Sequence, residues 1–168
     1  MDATRMTEAT PMKTNPTTVE RTSERELTVT RTFDAPARLV FEAWTKPELF
    51  RQWWLPKSMG MSLRSCEMDV RVGGTYRLAF EPAGVSFFGT YREVTPHSRL
   101  VWTNEEGDES SVTTVTFEEQ DGRTLLVMLE LYPSKAALDA AGTGASDATV
   151  ETFAQLDELL ATLGSRPV

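Results

Sequence analysis

The chain has 168 residues and a formal net charge of −8, enough for one domain plus a tail. Its one cysteine, Cys66, and one histidine, His97, exclude an internal disulfide and a site built on two histidines, and a thiolate metal site would need more ligands. Lys and Arg are scattered while Glu105, Glu106, Asp108 and Glu109 cluster, which argues against a nucleic-acid partner. No apolar run reaches ~18 residues and the start has no apolar signal-like core, so no membrane span and a cytoplasmic location are expected.

Residues 1–24 are rich in Thr, Glu, Arg and Pro, with almost no apolar periodicity. Such a segment has too little apolar surface to offset its ordering entropy, so a disordered tail is expected, with one domain over 25–165. Order is predicted from Glu26. Leu27, Val29 and Phe33 share one parity and Thr28, Thr30 and Thr32 the other, as in a strand. Asp34-Ala35-Pro36 then starts a helix whose apolar face is Leu39, Val40, Ala43 and Trp44. Lys46-Pro47-Glu48 starts a second short helix, leading into Leu49, Phe50, Trp53 and Trp54, because a proline there disfavours one continuous helix.

From Met61 to Tyr132 the pattern changes to period two. Strands are predicted near 61–69, 75–81, 85–95, 99–104, 111–118 and 123–132. The turns between them are Gly73-Gly74, Pro82-Ala83-Gly84, Pro96-His97-Ser98, Glu106-Gly107-Asp108 and Asp121-Gly122. Short turns between successive strands imply an antiparallel meander. Residues 133–145, with Pro133 and Gly142-Thr143-Gly144, read as a mobile connection. Ser146 is positioned to cap a last helix ending at Gly164, with the stripe Val150, Phe153, Leu156, Leu160 and Leu163. The fold class is therefore α+β. A curved seven-stranded antiparallel sheet wraps around a long C-terminal helix, and two short helices follow the first strand. A ligand-sized space between helix and sheet is expected.

The phrases "FDAPARLVFEAWTKPELFRQWW", "VGGTYRL", "GTYREVTPHSRLVWT" and "TVTFEEQDGRTLL" resemble the SRPBCC superfamily, and within it the group named after the activator of Hsp90 ATPase. The resemblance covers about residues 26–163. It implies the helix-grip fold of START and Bet v 1-like domains, and a ligand cavity more firmly than any one reaction. The chain departs from the group at Leu55, where relatives often carry Gly, and at Thr149, where they often carry Trp. A threonine there widens the cavity mouth and offers a hydroxyl.

Parity along the strands and the stripe on the helix give the candidate ligand-binding residues: Trp54, Met68, Leu78, Trp102, Phe117, Met128, Glu130, Thr149, Val150 and Phe153. Trp53, Met59 and Met61 join Trp54 at the junction of short helices and sheet, where aromatics and Met make adaptable apolar surfaces. Glu130 among apolar neighbours must be paired, hydrated or protonated. It could hydrogen-bond a ligand or act as a base, or reach solvent at the strand end. Gly73-Gly74 lacks the helix and lysine of a phosphate loop and reads as a tight turn. His97 and Ser98 read as a surface turn, and Cys66 as filler beside Met68 and Val70.

These readings point to binding of a small apolar molecule, lipid-like, aromatic or polyketide-like, with no cofactor, no metal and no assigned catalytic residue. A cofactor-free cyclase or hydrolase using Glu130 and a hydroxyl is the alternative. A co-chaperone role on an Hsp90-type ATPase is a further one, suggested by the family name. On the last strand Leu125, Val127, Leu129 and Leu131 should face away from the helix. Such an aliphatic strip fits a homodimer, unless the tail or the 133–145 segment covers it.

Overall fold

A computed structural model describes residues 17–54, 57–60, 62–81, 86–105 and 111–164, with the side chains of 59, 62, 81, 140–148 and 164 left undescribed. Its strands are β1 (Thr18–Arg21), β2 (Glu26–Phe33), β3 (Ser62–Met68), β4 (Thr75–Glu81), β5 (Ser86–Thr95), β6 (Arg99–Asn104), β7 (Ser111–Gln120) and β8 (Arg123–Leu131). The helices are α1 (Ala37–Thr45), α2 (Pro47–Phe50), one 3-10 turn (Lys57–Met59) and α3 (Lys135–Gly164). The strands form one curved antiparallel sheet in the order β1-β2-β8-β7-β6-β5-β4-β3.

The topology explains where the short helices lie. β3 to β8 form a meander, and β2 pairs with the last of these strands. The chain leaving β2 must therefore cross the sheet to reach β3 at the far edge. It makes that crossing as α1 and α2. Pro36 stands at the N-cap of α1 with extended φ and ψ, and Pro47 opens α2, where a missing N–H breaks no helical bond.

β2 shows how sequence sets the faces. Leu27, Val29, Arg31 and Phe33 are buried and the threonines between them are half-buried. β8 obeys the same parity. Leu126 and Met128 are buried, whereas Leu125, Val127, Leu129 and Leu131 are half-buried on the opposite face. Register places those four between Thr32, Thr30, Thr28 and Glu26 of β2 and Glu118, Thr116, Thr114 and Val112 of β7. The β7–β8 hairpin turns through Asp121 at φ 55° and Gly122 at φ 79°, the left-handed pair such a two-residue turn requires.

Three expectations are corrected. Among the described residues the sheet has eight strands, not seven, because Thr18–Arg21 pairs with β2 from Thr18↔Thr30 to Arg21↔Leu27. That part of the presumed tail is ordered because Val19 packs partly against the core and the edge of β2 supplies unpaired backbone groups. Residues 1–16 lie outside the described residues. Second, the segment 133–145 is no open connection. α3 begins at Lys135, and the Ser134 hydroxyl accepts from the Ala137 N–H at 3.1 Å, so the cap is Ser134 and not Ser146. Gly142 and Gly144 sit within the helix at a cost of about 1 kcal/mol each. Third, Val150 is 43 % exposed, while Thr152, Phe153, Gln155, Leu156 and Leu160 are buried. At ~100° per residue Val150 stands about a third of a turn from Leu156, and Thr149 takes its place toward the inside.

Candidate functional site

An aromatic cavity lies between the α1–α2 crossing and the β3–β6 end of the sheet. It is lined by Trp44 of α1, Phe50 of α2, Trp54 just after it, and Met68, Tyr76, Leu78, Phe87, Tyr91, Trp102 and Asn104 of the sheet. The space between these side chains is ≈ 420 Å³ including its solvent-facing part, of which ≈ 30 Å³ admits the centre of a water-sized sphere. That is room for about two waters, so a larger guest requires a wall to move. Trp54, Met68, Phe87 and Asn104 are the half-buried members of the lining and mark its mouth.

Sequence and register put these groups together. Tyr76 is the cross-strand partner of Gly89, and a Cβ at Gly89 would stand 2.8 Å from the Tyr76 ring and 1.8 Å from the Thr103 carbonyl. The glycine thus lets the tyrosine lie flat across β5. The Tyr76 hydroxyl lies 2.9 Å from both the Thr103 carbonyl oxygen and Asn104 Oδ1, which share its one proton. Tyr91 is the register partner of Trp102, and the β5–β6 pairing shifts between Tyr91 and Glu93, a bulge of the kind that re-aims a side chain. Burial raises the Tyr91 pKa, with smaller contributions from Cys66 and Asp69, so the phenol stays protonated.

Trp44 is the hub of the aromatic packing. Its ring centroid lies 5.8 Å from Trp102, 6.5 Å from Trp54, 4.8 Å from Trp53 and 6.2 Å from Phe153. Among the described residues its indole N–H is buried without a hydrogen-bond partner, a situation that costs about 1–3 kcal/mol. Trp53, wholly buried, donates to the Ala43 carbonyl at 2.9 Å. Trp54 stacks on Phe50 at 4.8 Å and 25°. The two adjacent tryptophans therefore differ in role: Trp53 secures the core and Trp54 closes the cavity.

The turn bearing Trp54 is tied to α3. Gln155 Oε1 accepts from the Lys57 N–H at 2.9 Å, and Gln155 Nε2 donates to the Trp53 carbonyl at 3.0 Å. Glu151 accepts from both the N–H and the hydroxyl of Ser58, bonds that hold its carboxyl below the usual range.

Of the residues singled out in the sequence, Trp54, Met68, Leu78 and Trp102 stand in the cavity wall. Phe117, Met128 and Phe153 do not. They are buried in the continuous core beneath α3, where Phe153 packs edge-on against Phe33 at 5.7 Å. Phe153 thus fills the space over Phe33, and the aromatic cavity lies under α1 and α2. Thr149 is half-buried on α3 and Val150 faces outward; neither is among the lining residues. Glu130 lies on the concave face of β8. It keeps some accessible surface although protein encloses it, and burial pushes its carboxyl above the usual range, partly opposed by the Tyr132 hydroxyl donating to Oε1 at 3.2 Å. Met61 and Leu55 lie outside the described residues, as does the side chain of Met59.

Trp44, Phe50, Tyr76, Phe87, Tyr91 and Asn104 were not singled out in the sequence. Tyr76 had a usable signal, since it shares the parity of Leu78. Trp44 and Phe50 had none, because an apolar helix face reads the same over a cavity as over a solid core. His97 is exposed at the β5–β6 turn with φ 66°. Burial raises the Cys66 pKa, Arg51 partly offsetting it, so it remains a thiol, with its Sγ 3.6 Å from the sulfur of Met68. Among the described residues no group of three His, Cys, Asp or Glu is placed to hold a metal ion, and no helix is long and apolar enough to cross a membrane.

The family described as Activator of Hsp90 ATPase homolog 1-like protein matches residues 34–161, from the entry to α1 almost to the end of α3. The chain belongs to that family. Its SRPBCC-type fold is also that of many solved structures. A Rhodobacter sphaeroides protein superposes with a TM-score of 0.79 at 24 % identity, over 88 % of this chain and 99 % of that one. A Nitrosomonas europaea protein gives 0.74 at 25 % identity, over 87 % and 100 %. A Staphylococcus epidermidis protein gives 0.74 at 25 % identity, over 90 % and 98 %. No curated protein matches. At the coarse level the family and fold are those of ligand-binding domains.

Proposed function

We propose that this member of the Activator of Hsp90 ATPase homolog 1-like family binds a small, predominantly aromatic molecule in the cavity under α1 and α2. The observation that carries the reading is the lining itself. Rings from Trp44, Phe50, Trp54, Tyr76, Phe87, Tyr91 and Trp102 surround one space, and apolar pockets with few polar groups are the usual form of small-molecule sites. The unpartnered Trp44 N–H favours a guest with a hydrogen-bond acceptor over a plain hydrocarbon. The small free volume means that binding proceeds with displacement of Trp54, the half-buried ring at the mouth.

Binding rather than turnover is proposed because Glu130, the candidate base, is not in the lining. It stands two strands from Trp102, about 10 Å away across the sheet. The test uses tryptophan emission, since Trp44, Trp53, Trp54 and Trp102 are all at or behind the cavity wall. Wild-type protein titrated with planar biphenyls and with fatty acids should respond saturably to the former. Trp54→Ala should weaken that response about tenfold. A saturable response to neither class, or one indifferent to Trp54→Ala, would overturn the proposal.

A further inference from the structure

The cavity wall has few polar atoms, and most are already engaged. The Tyr76 proton is shared between the Thr103 carbonyl and Asn104 Oδ1. Asn104 Nδ2 donates to Ser111 Oγ and Thr113 Oγ1, each at 3.0 Å. Trp44 is the exception. It is 2 % exposed, and among the described residues its indole N–H meets no acceptor. The rings of Phe50, Trp53, Trp54, Trp102, Phe117 and Phe153 stand with centroids 4.8–6.5 Å from its own. These rings present carbon or further N–H donors. Trp44 is also part of the cavity wall, so an acceptor from outside the chain reaches it by way of the cavity. Buried donors are ordinarily satisfied, and indole nitrogen donates only. The group this wall lacks is therefore an acceptor.

The same wall decides the charge of the guest. None of its described residues is charged, and an ion buried without a partner costs far more than a neutral polar group. Burial also keeps the Tyr91 phenol protonated, with Cys66 and Asp69 adding to the effect, which shows that negative charge is disfavoured there. A carboxylate guest would meet no cation among these residues. A cationic guest could stack on the rings, but it would leave the Trp44 N–H without an acceptor.

We propose that the cavity selects an uncharged aromatic guest bearing a hydrogen-bond acceptor, a ring nitrogen or a carbonyl oxygen, and that the Trp44 N–H is the group that reads it. The inference rests on the cavity reading above and adds the polarity and charge of the guest. The aromatic faces hold any flat ring of the right size. Trp44 determines specificity, because its N–H separates an acceptor from a plain hydrocarbon of the same shape.

The test compares 4-phenylpyridine with biphenyl in mildly alkaline buffer, where the pyridine nitrogen is uncharged. The two probes match in shape and differ in the acceptor. Wild type should bind 4-phenylpyridine at least about fivefold more tightly, the effect of giving a buried donor its partner. In wild type labelled with nitrogen-15 at tryptophan, the Trp44 indole proton should move downfield with 4-phenylpyridine and not with biphenyl. The Trp53 indole, already bonded to the Ala43 carbonyl, should respond alike to both. Trp44→Phe should abolish the preference, and the wild-type spectra decide the matter if that variant does not fold. Three results overturn the selection of an acceptor while the cavity proposal stands: equal binding of the two probes by wild type, a Trp44 signal indifferent to the nitrogen, or a preference that survives Trp44→Phe. Tighter binding of N-methyl-4-phenylpyridinium or of biphenyl-4-carboxylate than of 4-phenylpyridine overturns the requirement for an uncharged guest. Failure of all four probes to bind overturns this proposal and the cavity proposal together.

Discussion

The side-chain amide of Gln155 donates to the main-chain carbonyl of Trp53 over 3.0 Å, and this bond joins the last helix to the turn that closes the cavity. The same amide accepts from Lys57 N–H, so one buried side chain fixes both ends of the turn. Gln155→Leu removes both bonds at once. It should cost about 2–3 kcal/mol, since buried backbone groups then lack partners, and lower the melting temperature by roughly 4–12 °C at ~2–4 °C per kcal/mol. Glu151→Ala, which releases only the exposed tie to Ser58, should move it by less than about 2 °C. Equal losses from the two substitutions would show that the turn is not held through Gln155.

The paired tryptophans should separate in denaturation experiments. Trp53 is fully buried and hydrogen-bonded, so Trp53→Ala should cost about 3–5 kcal/mol. Trp54 is half-buried at the mouth, and Trp54→Ala should cost less than about 2 kcal/mol. Urea unfolding monitored by far-UV circular dichroism measures both. A larger loss at Trp54 would reverse the assigned roles.

Glu130 gives a pH signature of determined sign. Its folded-state pKa is raised from the ordinary value of 4.5, chiefly by burial. The folded state therefore holds the proton more tightly than the unfolded one, and stability present below the unfolded value is lost as pH rises through the folded value. Glu130→Gln cannot ionise. Its melting temperature minus that of wild type should be near zero at about pH 4, grow as pH rises, and level off above the folded pKa. Taking the difference cancels the contributions of Asp157, Asp139 and Glu151. A flat difference would place Glu130 in solvent.

The N-terminal edge strand should matter for stability. Val19 packs partly against the core, and Thr17 Oγ1 accepts from the buried Arg31 at 3.0 Å. Deleting residues 1–22 should lower the melting temperature by about 5 °C, equivalent to roughly 2 kcal/mol at this size. A shift below about 1 °C would show that β1 adds nothing to the fold.

Self-association through β8 is proposed on the outward strip Leu125, Val127, Leu129 and Leu131. These side chains point away from the core, so Leu125→Lys with Leu129→Lys should remain folded; the new lysine at 125 would face Glu118 across the strand pair. Wild type should sediment as a dimer and the double variant as a monomer. A monomeric wild type at high concentration would refute the dimer, and an unfolded variant would contradict the strand's parity.

Residue pattern alone determined most of the architecture. Alternation along Leu27–Phe33 and Leu125–Tyr132, with turn residues such as Asp121-Gly122, placed strands, faces and the meander, because a period-two pattern has one way to bury its apolar side. Local signals failed where two of them competed. Gly142 and Gly144 argued for a break, yet packing of the helix that Ser134 starts outweighs a cost of about 1 kcal/mol at each. Edge strand β1 was illegible because its order comes from a partner, β2, and not from its own composition. The cavity's position belonged wholly to the tertiary structure. Parity says which side chains face inward, and it put Trp102, Leu78, Phe117 and Phe153 on equal terms. Whether an inward ring meets another ring or empty space depends on how much volume lies above it. Phe153 on α3 fills the space over Phe33, and the shorter α1 and α2 leave it open over Trp102 and Leu78.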